Sequence, residues 1–474
     1  MLRFGGTIRT YSNLFLTVKK MSFALTPERL NQFQKSFESD PKNLLALNAC
    51  TKHDPFELCL NRLNLQQVSH VFSHKVDIDA KPVTNQKSSG RCWIFACLNV
   101  IRIPFMKHYE LEEFEFSQAH LFFWDKIERS NYFLNAIVET ARRGEPVDGR
   151  LVSFLLSDPS CDGGQWDMLV NLILRYGLIP KKCFPESYSC ENSGKLNRLL
   201  KSKLREYARD LRVLVDNQAS EEEIHKTISQ QMDEVYRITA ICLGIPPQTF
   251  TWEYYNKNKS YFSIGPLTPV KFYEDYVKPY FNIEDKVCIV NDPRPVNSYG
   301  KSYTVDCLGN MVGGRLTMYN NQPIETLIEL ATESIQNKEA VWFGSEVSQR
   351  LALKVGLEDM VTHNFKLVFG VDINEKLNKA ERLLYGESQM THAMVITGMS
   401  LNSEGKPIKW RVENSWGDDK GEKGNLVMST DWFKEFVFEV VVDKKYVSEE
   451  IMAVFKQKPI ILPAWDPMGS LARS

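Results

Sequence analysis

The chain has 474 residues, 43% of them hydrophobic and 25% charged, with a formal net charge of -1; this is an ordinary globular composition, too long for one small domain. Near-zero charge excludes a global basic field aimed at nucleic acid or a membrane surface, and no apolar run approaches the ~18 residues that a bilayer span needs. Ten cysteines, at 50, 59, 92, 97, 161, 183, 190, 242, 288 and 307, form no dense framework and no zinc-site spacing, so reduced thiols are expected, with no metal or organic cofactor. The first twenty residues carry Arg3, Arg9, Lys19 and Lys20 and no acid. They read either as a transit-peptide-like segment or as an upstream start before Met21.

Residues 26 to 70 read as helical, opened by the Thr26-Pro27-Glu28 cap. A turn-rich approach through Lys81-Pro82 leads to an apolar helix beginning at Cys92, which Pro104 should bend or end. Ser117 can cap a second long helix reaching about Arg143. The adjacent glycines Gly163 and Gly164 then open a third helix that closes near Tyr176-Gly177. Polar helices are expected over 194–245, followed by short strands at Phe250–Tyr254, Val287–Val290 and Tyr303–Val305. After a helix beyond 325 come a buried strand near Val341 and a β-rich last third, with strands at His392–Gly398 and Lys409–Asn414.

The chemistry concentrates in the segment Gln86 to Ala96. Its glutamine can donate a hydrogen bond to a developing oxyanion. Its cysteine sits in a first helical turn, where the positive end of the backbone dipole favours thiolate. Cys97, further along the same helix, reads as a buried structural cysteine. A thiolate nucleophile needs a base, and the base needs an orienting group. Of the eight histidines, at 53, 70, 74, 108, 120, 225, 363 and 392, only His392 opens an apolar strand. Asn414 closes the next strand, where its carboxamide oxygen can accept from one ring N–H. Trp416 could shield that bond from water, and a low local dielectric would strengthen it.

These blocks, in the order Gln86, Cys92, His392, Asn414, resemble the catalytic segments of papain-like cysteine peptidases. The segments NQKSSGRCWIFACLN, EFEFSQAHLFFWDKIER, DGGQWDMLVNLILRYGLIPKKCFPESY, TFTWEY, MTHAMVITG, RVENSWG and LPAWDPMG are together similar to those of the bleomycin hydrolase family, from about residue 22 to the C-terminus. The resemblance implies an α+β papain-like fold, a helical half plus a β-barrel-like half, with a large helical insertion and a C-terminal arm. It implies Cys92 as nucleophile, His392 as base and acid, Asn414 as orienter and Gln86 in the oxyanion hole. Gly163, Gly164 and Ala472 would contact substrate, with Trp93 and Trp416 in support.

The implied organisation is an extension over 1–20, an N-terminal helical hook over 21–80, the cysteine-bearing half over 81–190, the inserted module over 191–325, the histidine- and asparagine-bearing half over 326–455, and the arm over 456–474. The implied activity is that of a cysteine aminopeptidase with bleomycin hydrolase and homocysteine-thiolactonase activity on free N-termini. The implied form is a cytoplasmic homohexamer, or a mitochondrial one if residues 1–20 direct it there. The arm, ending Ser470-Leu471-Ala472-Arg473-Ser474, is about one residue longer than is usual in the family, so trimming near Ala472 is expected. The alternative is a channel-forming scaffold or nucleic-acid-binding protein with minor hydrolase activity. Its candidate contacts are Lys201, Lys203, Arg205, Lys420 and Lys423, although such residues more often form a solvated helix face.

Overall fold

The structure, a computed structural model, describes residues 24–473; the expected leader over 1–20 lies outside the described residues. The chain falls into two compact units. The smaller contains the described residues up to Leu60 together with His363–Ile373. Its helices Pro27–Glu38, Pro41–Cys50 and Pro55–Cys59 each place proline in the first turn, behind the capping side chains of Thr26, Asp40 and Asp54. Proline there forfeits an N–H that has no helical partner anyway. Phe56 meets His363 and Phe365 edge-on, with ring centroids 5.7 and 5.5 Å apart.

The larger unit holds one extended mixed sheet. Across its centre the strands run Lys286–Val290, Val437–Asp443, Val341–Ser345, His392–Leu401, Pro407–Glu413 and Asn425–Ser429. All five junctions between these neighbours are antiparallel. Strands Lys301–Val305 and Tyr319–Asn321 extend the same sheet beyond Lys286–Val290. The strand His392–Leu401 is buried at every position but its last, which explains why it reads as a near-continuous apolar run rather than as an alternation.

The helix Cys92–His108 packs on that strand, with fourteen of its residues buried. Of the two outcomes expected at Pro104, a bend or an end, the structure excludes the end: Pro104 lies inside the helix. The lost N–H costs one hydrogen bond, and the burial of Ile101, Ile103, Phe105 and Met106 around it stabilises the helical path. Ser117 caps Gln118–Arg142 by accepting from the His120 N–H at 3.1 Å. The helices Gly194–Asp216 and Glu221–Leu243 pack on each other and on Gln118–Arg142, with apolar residues such as Leu200, Leu204 and Leu211 turned inward. Cys97 is fully buried, as its position in an apolar helix suggested.

Candidate active site

Cys92 is the first residue of its helix and is 1% exposed. The approach to it is fastened to the turn that follows Pro407–Glu413. The Gln86 N–H donates to the Ser415 carbonyl at 2.8 Å, and the Gly417 N–H donates to the Thr84 carbonyl at 3.0 Å. The Ser415 hydroxyl donates to Gln86 Oε1 at 2.7 Å. One hydrogen of the Gln86 carboxamide is directed to the Ser89 carbonyl at 2.7 Å, which leaves the second for another acceptor.

His392 opens its strand opposite Ser345. Its Nε2 lies 2.9 Å from Asn414 Oδ1. An amide oxygen only accepts, so Nε2 carries the proton and Nδ1 is the basic nitrogen. Asn414 is held in turn, since its Oδ1 also accepts from the Ser415 N–H at 2.7 Å. The Trp416 ring lies 4.7 Å from the imidazole, tilted by 33°. The helix that Cys92 opens packs on the strand that His392 opens, and the Ala393 backbone, next to His392, lies near enough to the thiol to favour its ionised form. The structure therefore brings together Gln86, Cys92, His392, Asn414 and Trp416 although they are read far apart in the chain.

Electrostatics at the pair departs from the sequence reading. Burial pushes the Cys92 thiol up to about 11, against the pull of the backbone N–H groups of Ala393, Trp93 and Cys92. Burial also pushes the His392 imidazole down to about 4, with the Asn414 carboxamide opposing. Desolvation thus works against the thiolate expected from a helix N-terminus, while the backbone N–H groups at the start of the helix work for it.

The glycine pair is placed by packing. The Gly163 carbonyl accepts from Arg129 Nη2 at 2.7 Å. A Cβ on Gly164 would fall 2.6 Å from the Trp93 ring, whose indole N–H donates to the Asp162 carbonyl at 2.6 Å. Trp93 therefore supports the wall that carries both glycines. Gly164→Ala is expected to cost about 3 kcal/mol through overpacking, measured as a lower urea midpoint at unchanged m-value; an unshifted midpoint would show that Trp93 yields freely.

The end of the arm forms a short 3-10 helix, Pro467–Arg473. Ser470 Oγ donates to the Met390 carbonyl at 2.7 Å, two residues before His392. The Cys161 thiol donates to the Ala472 carbonyl, just before the glycine pair. Leu471 and Ala472 are buried. The arm thus lies between the two walls that carry Gly163-Gly164 and His392.

With this geometry in place, the Peptidase C1-like family matches residues 24–469. The chain belongs to that family. It is 56% identical to the bleomycin hydrolase of Mus musculus over 94% of this chain and 99% of that protein. It is 43% identical to aminopeptidase C of Streptococcus thermophilus over 86% of this chain and 90% of that protein. The crystal structure of PepW from Lactobacillus rhamnosis superposes with a TM-score of 0.90 at 43% identity, covering 95% of this chain and 99% of that one. The fold is papain-like α+β, and this Peptidase C1-like member is a cysteine-type peptidase.

Sequence reasoning missed the charged scaffold beneath the site of this peptidase. The Asp162 carboxylate is buried with Lys126 Nζ at 2.8 Å. It also accepts from the Gly90 N–H at 3.2 Å and from Asn197 Nδ2 at 2.8 Å. Burial opposes ionisation there, but the Lys126 ammonium and these donors hold the carboxyl well below the usual range. Asp125 and Arg129, bonded at 3.0 Å, form a second buried pair under Gly163. For the Asp125–Arg129 pair the available signal was its i,i+4 spacing on the helix Gln118–Arg142. Of the candidate basic contacts, Lys201 pairs with Asp158, Lys203 with Glu206 and Lys420 with Asp419, each at 2.8 Å, while Arg205 donates to the carbonyls of Leu156 and Ser157. Among the described residues, no helix is long and apolar enough to cross a membrane.

Proposed function

We propose that this chain is a cysteine aminopeptidase in which Cys92 is the nucleophile, His392 the general base and acid, Asn414 the orienter of the imidazole, and Gln86 with the Cys92 N–H the oxyanion hole. The observation that carries the reading is the His392–Asn414 hydrogen bond of 2.9 Å at the start of the strand on which the helix opened by Cys92 packs. His392 Nδ1 takes the thiol proton as sulfur attacks the carbonyl carbon of the first peptide bond. Electron density passes to the carbonyl oxygen, where preorganised N–H donors stabilise it. Collapse expels the shortened peptide as an amine, which takes its proton from His392, and leaves the first residue as a thioester. Water, deprotonated by His392, then releases the amino acid and restores the thiol.

The buried arm supports the exopeptidase reading. A carboxylate at the end of the arm can meet the ammonium of a free N-terminus, and Gly163 and Gly164 offer a wall that a backbone can approach closely. Bleomycin, through its β-aminoalanine amide, and homocysteine thiolactone both present a free amine beside an acyl group, so one site serves all three substrate types. Removal of Arg473 and Ser474 would place that carboxylate on Ala472, whose carbonyl the Cys161 thiol already holds. Intact mass of purified protein is expected to show this loss; an untrimmed tail together with ordinary one-residue removal would contradict it.

The working form is a cytoplasmic homohexamer, a reading supported by resemblance. Size-exclusion light scattering should then give six times the 54.7 kDa chain mass; a monomer at working concentration would oppose it.

A further inference from the structure

Upstream of its buried tip, the arm is fastened by a charged lock. Asp466 Oδ1 lies 2.7 Å from Arg294 Nη2. The other flank of the same guanidinium is held by Asp292, with Nε to Oδ1 at 2.9 Å and Nη2 to Oδ2 at 2.7 Å. All three side chains are buried, at 6%, 7% and 4% exposure for Asp466, Arg294 and Asp292. Asp292 is positioned by Asn297 Nδ2 at 2.6 Å and by its own N–H on Asn321 Oδ1 at 2.8 Å. Asp466 Oδ1 also accepts from the Met468 N–H at 3.0 Å, which starts the turn bearing Ser470, Leu471 and Ala472. Tyr319 then donates its hydroxyl to the Met468 carbonyl at 2.9 Å.

A buried ion cluster is a poor way to gain stability, because desolvation offsets most of the attraction; well-packed apolar residues would serve as well. What apolar packing does not supply is direction. A guanidinium fork accepts carboxylates in one plane and at fixed spacing, so it fixes the arm along its own axis. Only five residues lie between Asp466 and Ala472, and the segment they form is bonded at Met468 and Ser470. A slip at the lock is therefore transmitted to the tip.

We propose that Arg294, clamped between Asp292 and Asp466, is a positioning residue that sets how far the arm reaches into the cleft, and so whether one residue is removed from a free N-terminus or longer and blocked chains are cut. This rests on the arm reading given under Proposed function.

The test uses the full-length chain and one hexapeptide with its N-terminus free or acetylated, with cleavage sites read by mass spectrometry. For Arg294→Met, the preference for the free over the acetylated peptide should fall about tenfold or more. KM for the free peptide should rise more than kcat falls, and cuts beyond the first bond should appear. Arg294→Lys should recover part of the preference. An unchanged preference and cleavage site in folded Arg294→Met overturns the proposal, and so does an equal loss on both peptides, which is what a merely structural role gives. Should Arg294→Met fail to fold, Asp466→Ala decides, since it removes the arm's acceptor from the guanidinium and keeps the Arg294–Asp292 pair: a shifted preference supports the lock, and an unshifted one overturns it. A chain ending at Met468 separates the two levels. If it retains the free N-terminus preference, the arm reading fails and this inference with it; if it loses the preference while the Arg294 and Asp466 variants keep theirs, only the lock fails.

Discussion

Cys92→Ala should lower kcat/KM on an aminoacyl-coumarin by about 10⁵ or more while the protein keeps its fold and assembly, because removing a nucleophile from a coupled set of groups forfeits nearly all of the set's contribution. The change deletes one sulfur at the first position of a helix whose next residues, Trp93, Ile94 and Phe95, are fully buried. Alanine is also a good helix former, so a small stability change is expected, with a melting temperature within a few degrees of the parent (about 1 kcal/mol of lost burial at most). Circular dichroism separates loss of chemistry from loss of fold. If the folded variant keeps more than about a hundredth of parent activity, well above the residue that binding and oxyanion stabilisation alone leave, the nucleophile is one of the other nine thiols. Cys161 would then be the first to examine, since it contacts the arm at Ala472.

Deletion of residues after Met468 should convert the specificity rather than destroy the activity. Opposite charges about 4 Å apart in a partly dry cleft attract by ~4 kcal/mol at an effective dielectric near 20, before desolvation costs. Losing a part of that is enough to lower the preference for free N-termini by about a hundredfold or more. The deletion also removes the side chains of Leu471 and Ala472, which lie buried between Met390 and Cys161, and so opens room for residues beyond the first. Acetylated peptides should become substrates, with kcat on the shortest free peptides little changed, since Cys92, His392 and Asn414 stay in place. The check is kcat/KM on matched free and acetylated peptides. Persisting exopeptidase preference would remove the arm from the account.

The site was legible where local sequence fixes local geometry. A polar approach before an apolar helix placed Cys92 at an N-terminus, and an apolar run placed His392 at a strand start, as the structure has them. The strand that carries Asn414 at its end was visible for the same reason. Tertiary context decided the rest. Pro104 reads as a helix breaker, yet the surrounding core keeps it helical. The strand Val437–Asp443, which joins two parts of the sheet, went unnoticed because it is buried on both faces and its sequence, VFEVVVD, lacks strand alternation. At Gly164 the side that a Cβ would occupy is filled by the Trp93 ring, a packing neighbour that the glycine pair alone does not name. The direction of the Cys92 shift could not be read from helix position alone, because its dominant cause is burial beneath segments hundreds of residues away. The Asp292–Arg294–Asp466 lock likewise joins a loop to the arm across the fold, a pairing that spacing does not reveal.

In the proposed mechanism one sulfur of the ten carries the acyl group. Treating the protein with a single equivalent of an amino-acid fluoromethyl ketone bearing a free amine, then mapping the adduct by peptide mass spectrometry, tests it most directly. The account predicts one label per chain on Cys92, with activity falling in proportion to labelling and an acetylated reagent reacting far more slowly. A label on a different cysteine, or full activity in a chain whose Cys92 is modified, would contradict it.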